Sequence, residues 1–259
     1  MSRIVHLALK VEDLERTTKF YTEVFGFAEM NTDKVRDHTS RHLSDGTIDL
    51  ALIQSDAGTT SAESRAAGEG PCIHHFAVEV PDMRTATNRI RELGCEIISD
   101  PGVIPVKFLA PGGTLAELVP IGRYKNEAAS GRKIDKIVHL SLKVDDVKHT
   151  GDFYQQVFGF RDSETKKTRD HVSRHMTDGQ IDFTLIKYDE GTQSAESKAA
   201  GEGPCIHHFA IEVEDLRKAT AEIKERGCEI VSDPGVIPVK FRAPGGTIAE
   251  LVPLGRYQR

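Results

Sequence analysis

Apolar and polar residues alternate through Val5–Val11 (VHLALKV), the two-residue period of a half-buried strand. The period then changes. Asp13 stands where an N-cap belongs, and Leu14, Thr17, Tyr21, Val24 and Phe25 recur at helical spacing until Gly26 ends the run. Shorter strand patterns follow near Phe27–Met30, Ser40–Leu43 and Ile48–Ile53, with Asp45-Gly46 as the turn joining the last two. The same order returns downstream. Ile73–Val80 (IHHFAVEV) reads as a strand, and Asp82 caps a helix through Met83, Ala86, Ile90 and Leu93 that Gly94 closes. Strand patterns near Glu96–Ser99, Val106–Leu109 and Leu115–Val119 complete the set. The pattern predicts βαβββ twice.

The whole arrangement is then repeated. His139, His207 and Glu250 follow His6, His74 and Glu117 at one offset of 133 residues, and SAESRAAGEGPCIHHFA from Ser61 recurs as SAESKAAGEGPCIHHFA from Ser194. A period this long indicates tandem domains and not a stacked array. The expected fold class is α+β: four βαβββ modules in two domains with curved mixed sheets, helices on one side. The expected boundaries are 1–122 for the first domain, a polar linker at 123–136, and 137–259 for the second.

Strand faces locate the candidate chemistry. His6, Ala8 and Lys10 share the face opposite Leu7 and Leu9, and His75, Ala77 and Glu79 share the face opposite His74, Phe76 and Val78. His74 and His207 are therefore expected in the apolar packing. Glu117 and Asp49 each stand between apolar neighbours in the fourth strand of a module, a costly place for a carboxylate without a partner. If the two modules are related by pseudo-symmetry, His6, His75, Glu117 and Asp49 converge. Imidazole plus carboxylate suits Zn, Ni, Co, Mn or Fe as a divalent ion. Packing alone would require the coincident placement of His6, His75 and Glu117 in both copies, so a metal site is the stronger reading. Asp49 is open between a ligand and a group that orients one. His38 and His42, alternating with Ser40, are candidates for the pocket wall or for an exposed polar face; Lys107, and more weakly Arg36 and Arg41, are candidate anion contacts. Their counterparts are His171, His175, Lys240, Arg169 and Arg174. The Gly-Glu-Gly-Pro segment at Gly68–Pro71 joins modules, and the long connection Gln54–Cys72 is expected to fold over the pocket.

A formal net charge of −6 argues against nucleic-acid or acidic-membrane binding, and no run approaches a membrane span. The N-terminus enters a strand pattern without a signal-peptide core, and the four cysteines form no C-x-x-C pair. The expectation is a cytoplasmic protein with reduced thiols.

The segments HLALKVEDLERTTKFYTEVFGF, TIDLALI, IHHFAVEV and FLAPGGTLAELVP, and their counterparts HLSLKVDDVKHTGDFYQQVFGF, QIDFTLI, IHHFAIEV and FRAPGGTIAELVP, resemble the vicinal oxygen chelate superfamily. The resemblance covers nearly the whole chain. It implies metal ligands His6, His75 and Glu117 in one copy and His139, His208 and Glu250 in the other, with Asp49 and Asp182 where relatives carry Glu or Gln. It implies a small-molecule substrate whose neighbouring oxygens chelate the ion, and glyoxalase- or isomerase-like chemistry through an enediolate, with Glu117 or Glu250 moving the proton. The alternatives are an Fe(II) extradiol-type dioxygenase, against which Lys107 and Lys240 stand where such enzymes carry Tyr, and a metal-independent binding protein of the resistance type. Sites closed within a copy, sites shared between copies, and a homo-oligomer all remain open.

Overall fold

The computed structural model describes residues 1–35, 37–124, 126 and 134–257. Arg36 and most of the expected linker (residues 125 and 127–133) lie outside the described residues. The first copy runs β1 (Arg3–Lys10), α1 (Leu14–Val24), β2 (Ala28–Val35), β3 (His38–Ser44), β4 (Asp49–Ser55), α2 (Ala62–Ala67), β5 (Cys72–Val80), α3 (Met83–Glu92), β6 (Val106–Leu109) and β7 (Leu115–Pro120). The second runs β8 (Lys136–Lys143), α4 (Val147–Phe158), β9 (Arg161–Lys167), β10 (His171–Thr177), β11 (Asp182–Tyr188), α5 (Ala195–Ala199), β12 (Cys205–Val213), α6 (Leu216–Glu225), β13 (Glu229–Ile230), β14 (Val239–Arg242) and β15 (Ile248–Pro253).

The capping aspartates act as expected. Asp13 accepts from the Arg16 N–H at 2.9 Å, and Asp82 from the Thr85 N–H at 3.0 Å. The strand expected near Glu96–Ser99 shrinks to an Ile97–Phe108 bridge, whereas its counterpart survives as β13. The connection Gln54–Cys72 contains a short helix, α2, capped by Ser61.

Each copy builds its own sheet, ordered β2-β3-β4-β1-β5-β7-β6 in the first and β13-β14-β15-β12-β8-β11-β10-β9 in the second. Both are mixed sheets, and the fold is α+β. At each centre the first strands of the two modules pair antiparallel, β1 with β5 and β8 with β12. The core crosses between copies. Phe20 and Tyr21 of α1 lie 6.1 Å from Phe241 and 6.3 Å from Phe209, while Tyr154 of α4 sits 6.2 Å from Phe76. Each first helix packs on strands of its own copy, and its aromatic side chains reach across to the apolar residues of the other copy's sheet.

Candidate metal centre

Two bulges aim the central strands. In the β1–β5 ladder Ile4 pairs Val78 and His6 pairs Ala77, leaving Val5 extra; Ala8 pairs His75 and Leu9 pairs Ile73, leaving His74 extra. Val5 and His74 are equivalent residues of their modules, each immediately before the histidine of interest. Val5 consequently packs with Ala77 and Val119 on the site side, not with Leu7 and Leu9 as alternation alone predicts. His74 likewise leaves the apolar packing and lines the pocket, its Nδ1 2.7 Å from His75 Nδ1. The shift repeats at His207.

The geometry around these bulges is compact. His6 Nε2 lies 3.3 Å from His75 Nε2, and Glu117 of β7 pairs His75 Nε2 through Oε1. The three donor atoms fall within 4.8 Å of one another, and all three residues are buried. In the second copy His139 and His208 stand 3.2 Å apart at Nε2, with Glu250 3.4 Å from His208 Nε2. Each cluster forms inside one copy's sheet.

Hydrogen bonding tests whether a cation fits. Asp49, directly across β4 from His6, faces His6 Nδ1 at 2.5 Å. An ionised carboxylate only accepts, so the His6 proton sits on Nδ1 and Nε2 presents a lone pair. If His75 donates from Nδ1 to His74, its Nε2 is bare as well. Two imidazole lone pairs and a carboxylate then face one another, an arrangement that calls for a cation. In the second copy Glu250 Oε2 is buried without a hydrogen-bond partner, although the Lys240 ammonium stands 3.3 Å away. The residues fit a divalent ion.

Protonation follows the same logic. Burial opposes the charge on Glu117, but the adjoining His75 outweighs it and holds the carboxyl at about 2. Burial likewise opposes Asp49, and the bonds from His42 and His6 prevail, lowering it. Burial lowers His75 despite Glu117, pushes His74 and His208 well below the usual imidazole value, and takes His207 to about 3. Neutral imidazoles are the form a metal requires.

The register corrects one expectation. Asp49 and Glu117 do not occupy matching places: Glu117 pairs Ala77, whose equivalent Ala8 pairs Ala51, so Glu117 matches Ala51 and Asp49 matches Leu115. Both carboxylates face the site because two residues is one full strand period. Asp49 therefore reaches the Nδ1 side of His6 and also holds His42 Nδ1 at 2.9 Å. Asp182 does the same for His139 at 2.6 Å and His175 at 3.1 Å.

His38, His42 and Lys107 line a cavity of about 120 Å³ above the first cluster. His171 packs 5.5 Å from Tyr188, and Lys240 pairs Glu250 and, at 3.2 Å, Glu196 of α5. Thr59, Ser61 and Ser64 also line the cavity, so the Gln54–Cys72 connection does fold over it. Arg41 and Arg174 face away from it. Arg41 bonds Glu15 at 2.7 Å, and Arg174 bonds Asp162 and Asp152 at 2.7 and 2.9 Å, because adjacent strand residues point to opposite faces. Sequence reasoning missed Tyr124 and Tyr257. They stack on His6 and His139 at 4.2 and 4.3 Å, and their hydroxyls approach Glu117 at 3.5 Å and Glu250 at 2.6 Å. The signal was the Gly-Arg-Tyr repeated at Gly122–Tyr124, where the expected linker begins, and at Gly255–Tyr257 near the end of the second copy.

The family described as Glyoxalase/Bleomycin resistance protein/Dioxygenase superfamily matches residues 3–110 and 136–243. A probable chloroplastic lactoylglutathione lyase of Arabidopsis thaliana is 25% identical over 91% of this chain and 67% of its own length. The lactoylglutathione lyase of Oryza sativa subsp. japonica is 25% identical over 91% of this chain and 82% of its own. Among solved structures, a mutant 4-hydroxymandelate synthase from Streptomyces coelicolor superimposes with TM-score 0.74 at 19% identity, covering 97% of this chain and 92% of that one. The Mn(II)-bound glyoxalase from Novosphingobium aromaticivorans gives 0.71 at 16% identity, covering 99% and 84%. These structural likenesses concern the fold.

Proposed function

The chain belongs to the Glyoxalase/Bleomycin resistance protein/Dioxygenase superfamily, and from that premise we propose that each half is a divalent-metal-dependent enzyme site for a small molecule bearing two neighbouring oxygens. The observation that carries this reading is the convergence of His6 Nε2, His75 Nε2 and Glu117 Oε1, repeated at His139, His208 and Glu250. These six residues would hold the ions. Asp49 and Asp182 would fix the imidazoles from their Nδ1 side without ligating.

A bound divalent ion supplies Lewis acidity, lowering the energy of negative charge that develops on substrate oxygens. The protein does the rest. Glu117 is the proton carrier best placed at the reacting carbon, since Tyr124 steadies its second oxygen. Lys107, His38 and His42 offer donors to substrate oxygens from the cavity wall. Thr59, Ser61 and Ser64 limit water from above. Proton transfer between adjacent carbons, the isomerase or lyase class, agrees with the lactoylglutathione lyases that align along most of the chain.

A second reading has its own support. Ala51 stands where a fourth ligand would match Glu117, leaving two histidines and one carboxylate, the ligand set of many Fe(II) oxygenases. Elemental mass spectrometry of the wild type beside His75→Ala/His208→Ala decides the premise: near-stoichiometric metal, lost in the variant, is expected. The protein loaded with Ni, Co, Mn or Zn should then turn over lactoylglutathione. Oxygen uptake with catechol by the Fe(II) form would put the dioxygenase first, and failure to take up any ion would leave only the binding-protein reading.

A further inference from the structure

The first cavity is walled by residues that the second copy repeats, with two exceptions: Ala51 becomes Thr184 and Ser55 becomes Tyr188. A third change lies in the floor beside them. Ala8, which packs with Ala51 and Ile53 on the site face, becomes Ser141. Ala8 and Ala51 are partners across β1 and β4, and Ser55 lies further along β4 beside His38.

In the first copy this wall is small and apolar where Ala8, Ala51 and Ile53 meet. In the second copy the phenol of Tyr188 lies between two pocket histidines. Its hydroxyl is 3.1 Å from His207 Nε2, and its ring centre is 5.5 Å from His171 and 5.9 Å from His207. His38 and His74, the counterparts of those histidines, both line open space in the first copy. The Thr184 hydroxyl donates to Asp182 at 2.6 Å. Ser141 is fully buried and its Oγ has no hydrogen-bond partner.

We propose that the two sites select different substrates: the first accepts a vicinal-oxygen compound carrying a ring-sized apolar group, and the second, narrowed by Tyr188, takes a compact compound. This rests on the metal-site reading above. The ligands are the same in both halves, so the difference lies in the wall. Tyr188 and Ser55 are the specificity-determining pair.

The test separates the sites. His208→Ala leaves the first site able to hold an ion, and His75→Ala leaves the second. Each variant is loaded with Co(II) and titrated with acetohydroxamate and benzohydroxamate, oxygen chelators differing by a phenyl ring, while the visible Co(II) spectrum reports binding. The preference for benzohydroxamate over acetohydroxamate should be about tenfold or more greater at the first site. Tyr188→Ser in the His75→Ala background should raise the second site's preference to that of the first, and Ser55→Tyr in the His208→Ala background should abolish the first site's preference. Tyr188→Phe keeps the ring and should keep the exclusion, a control on folding. Equal preference at the two Co(II)-loaded sites, or preference unmoved by the exchange, overturns this inference alone. No Co(II) spectrum in either variant overturns the metal-site reading and this inference with it.

Discussion

At the scale of single residues, the site is a problem of where protons sit. Asp49 can only accept, so it holds the His6 proton at Nδ1 and exposes the Nε2 lone pair. Asp49→Asn is expected to weaken Co(II) affinity by about 10–100-fold, read by competition with a chromophoric chelator, while leaving the ligands in place. The buried imidazoles give a pH prediction. His207 titrates at about 3 in the fold against 6.5 unfolded, chiefly through burial, then through Lys240. Between those values the unfolded chain binds the extra proton, so stability is lost as pH falls below about 6.5. Metal-free protein should lose about 2 kcal/mol to this group between pH 6.5 and 5. Urea unfolding of wild type beside His207→Gln isolates it, and identical pH slopes would sink the idea. The ligand candidates were legible because a His or Glu among strand apolar residues is conspicuous. His74 and Tyr124 were not, since a bulge turns one and a tail brings the other back.

Among the elements, the covering helix is the one most open to test. Lys240 of β14 ties down α5 through Glu196 at 3.2 Å while also pairing Glu250. Burial opposes the charge on this lysine, but Glu250 and Glu196 overcome it and raise it. Glu196→Gln removes one anchor, and local opening should become easier by about 1–3 kcal/mol. Hydrogen exchange at Ala195–Ala199 is the measurement; unchanged protection there would show that the pair does not hold the helix. The sequence pattern found the long helices from their caps and spacing. It missed α2 and α5, each about a turn and a half or less, because so short a run carries no resolvable period.

For the molecule as a whole, the decisive feature is the seam between copies. Asp45, read as a hairpin residue, accepts from its own turn and also from Ile137 N–H at 2.7 Å, at the start of β8. Asp178 returns the bond to Ile4 N–H at 2.7 Å, in β1. Each copy thus anchors the strand that carries the other's first histidine. Gly246 tests the seam. Its φ is +87°, and a Cβ there would stand 2.6 Å from Pro71 of the first copy, whereas at Gly112 (φ +90°) the nearest atom, in Pro204, is 3.7 Å away. Gly112→Ala should cost about 1–2 kcal/mol from backbone strain alone. Gly246→Ala should cost about 1–3 kcal/mol more from the rigid contact, measured by chemical unfolding. Equal losses would mean the seam yields freely.

Periodicity, caps and the 133-residue repeat were enough for the long helices and most strands, the α+β class and the candidate ligands, because each of these depends on neighbours in the chain. The convergence of His6, His75 and Glu117 within one sheet, the meeting of Asp49 with His6 Nδ1 and the way His74 turns depended on register and bulges. Those are set by hydrogen bonds between strands up to 70 residues apart, as between His6 and His75. The meeting of α1 and α4 side chains with aromatic residues of the other copy is also invisible in the pattern. An apolar helix face announces that it will be buried, and only the assembled chain decides against what.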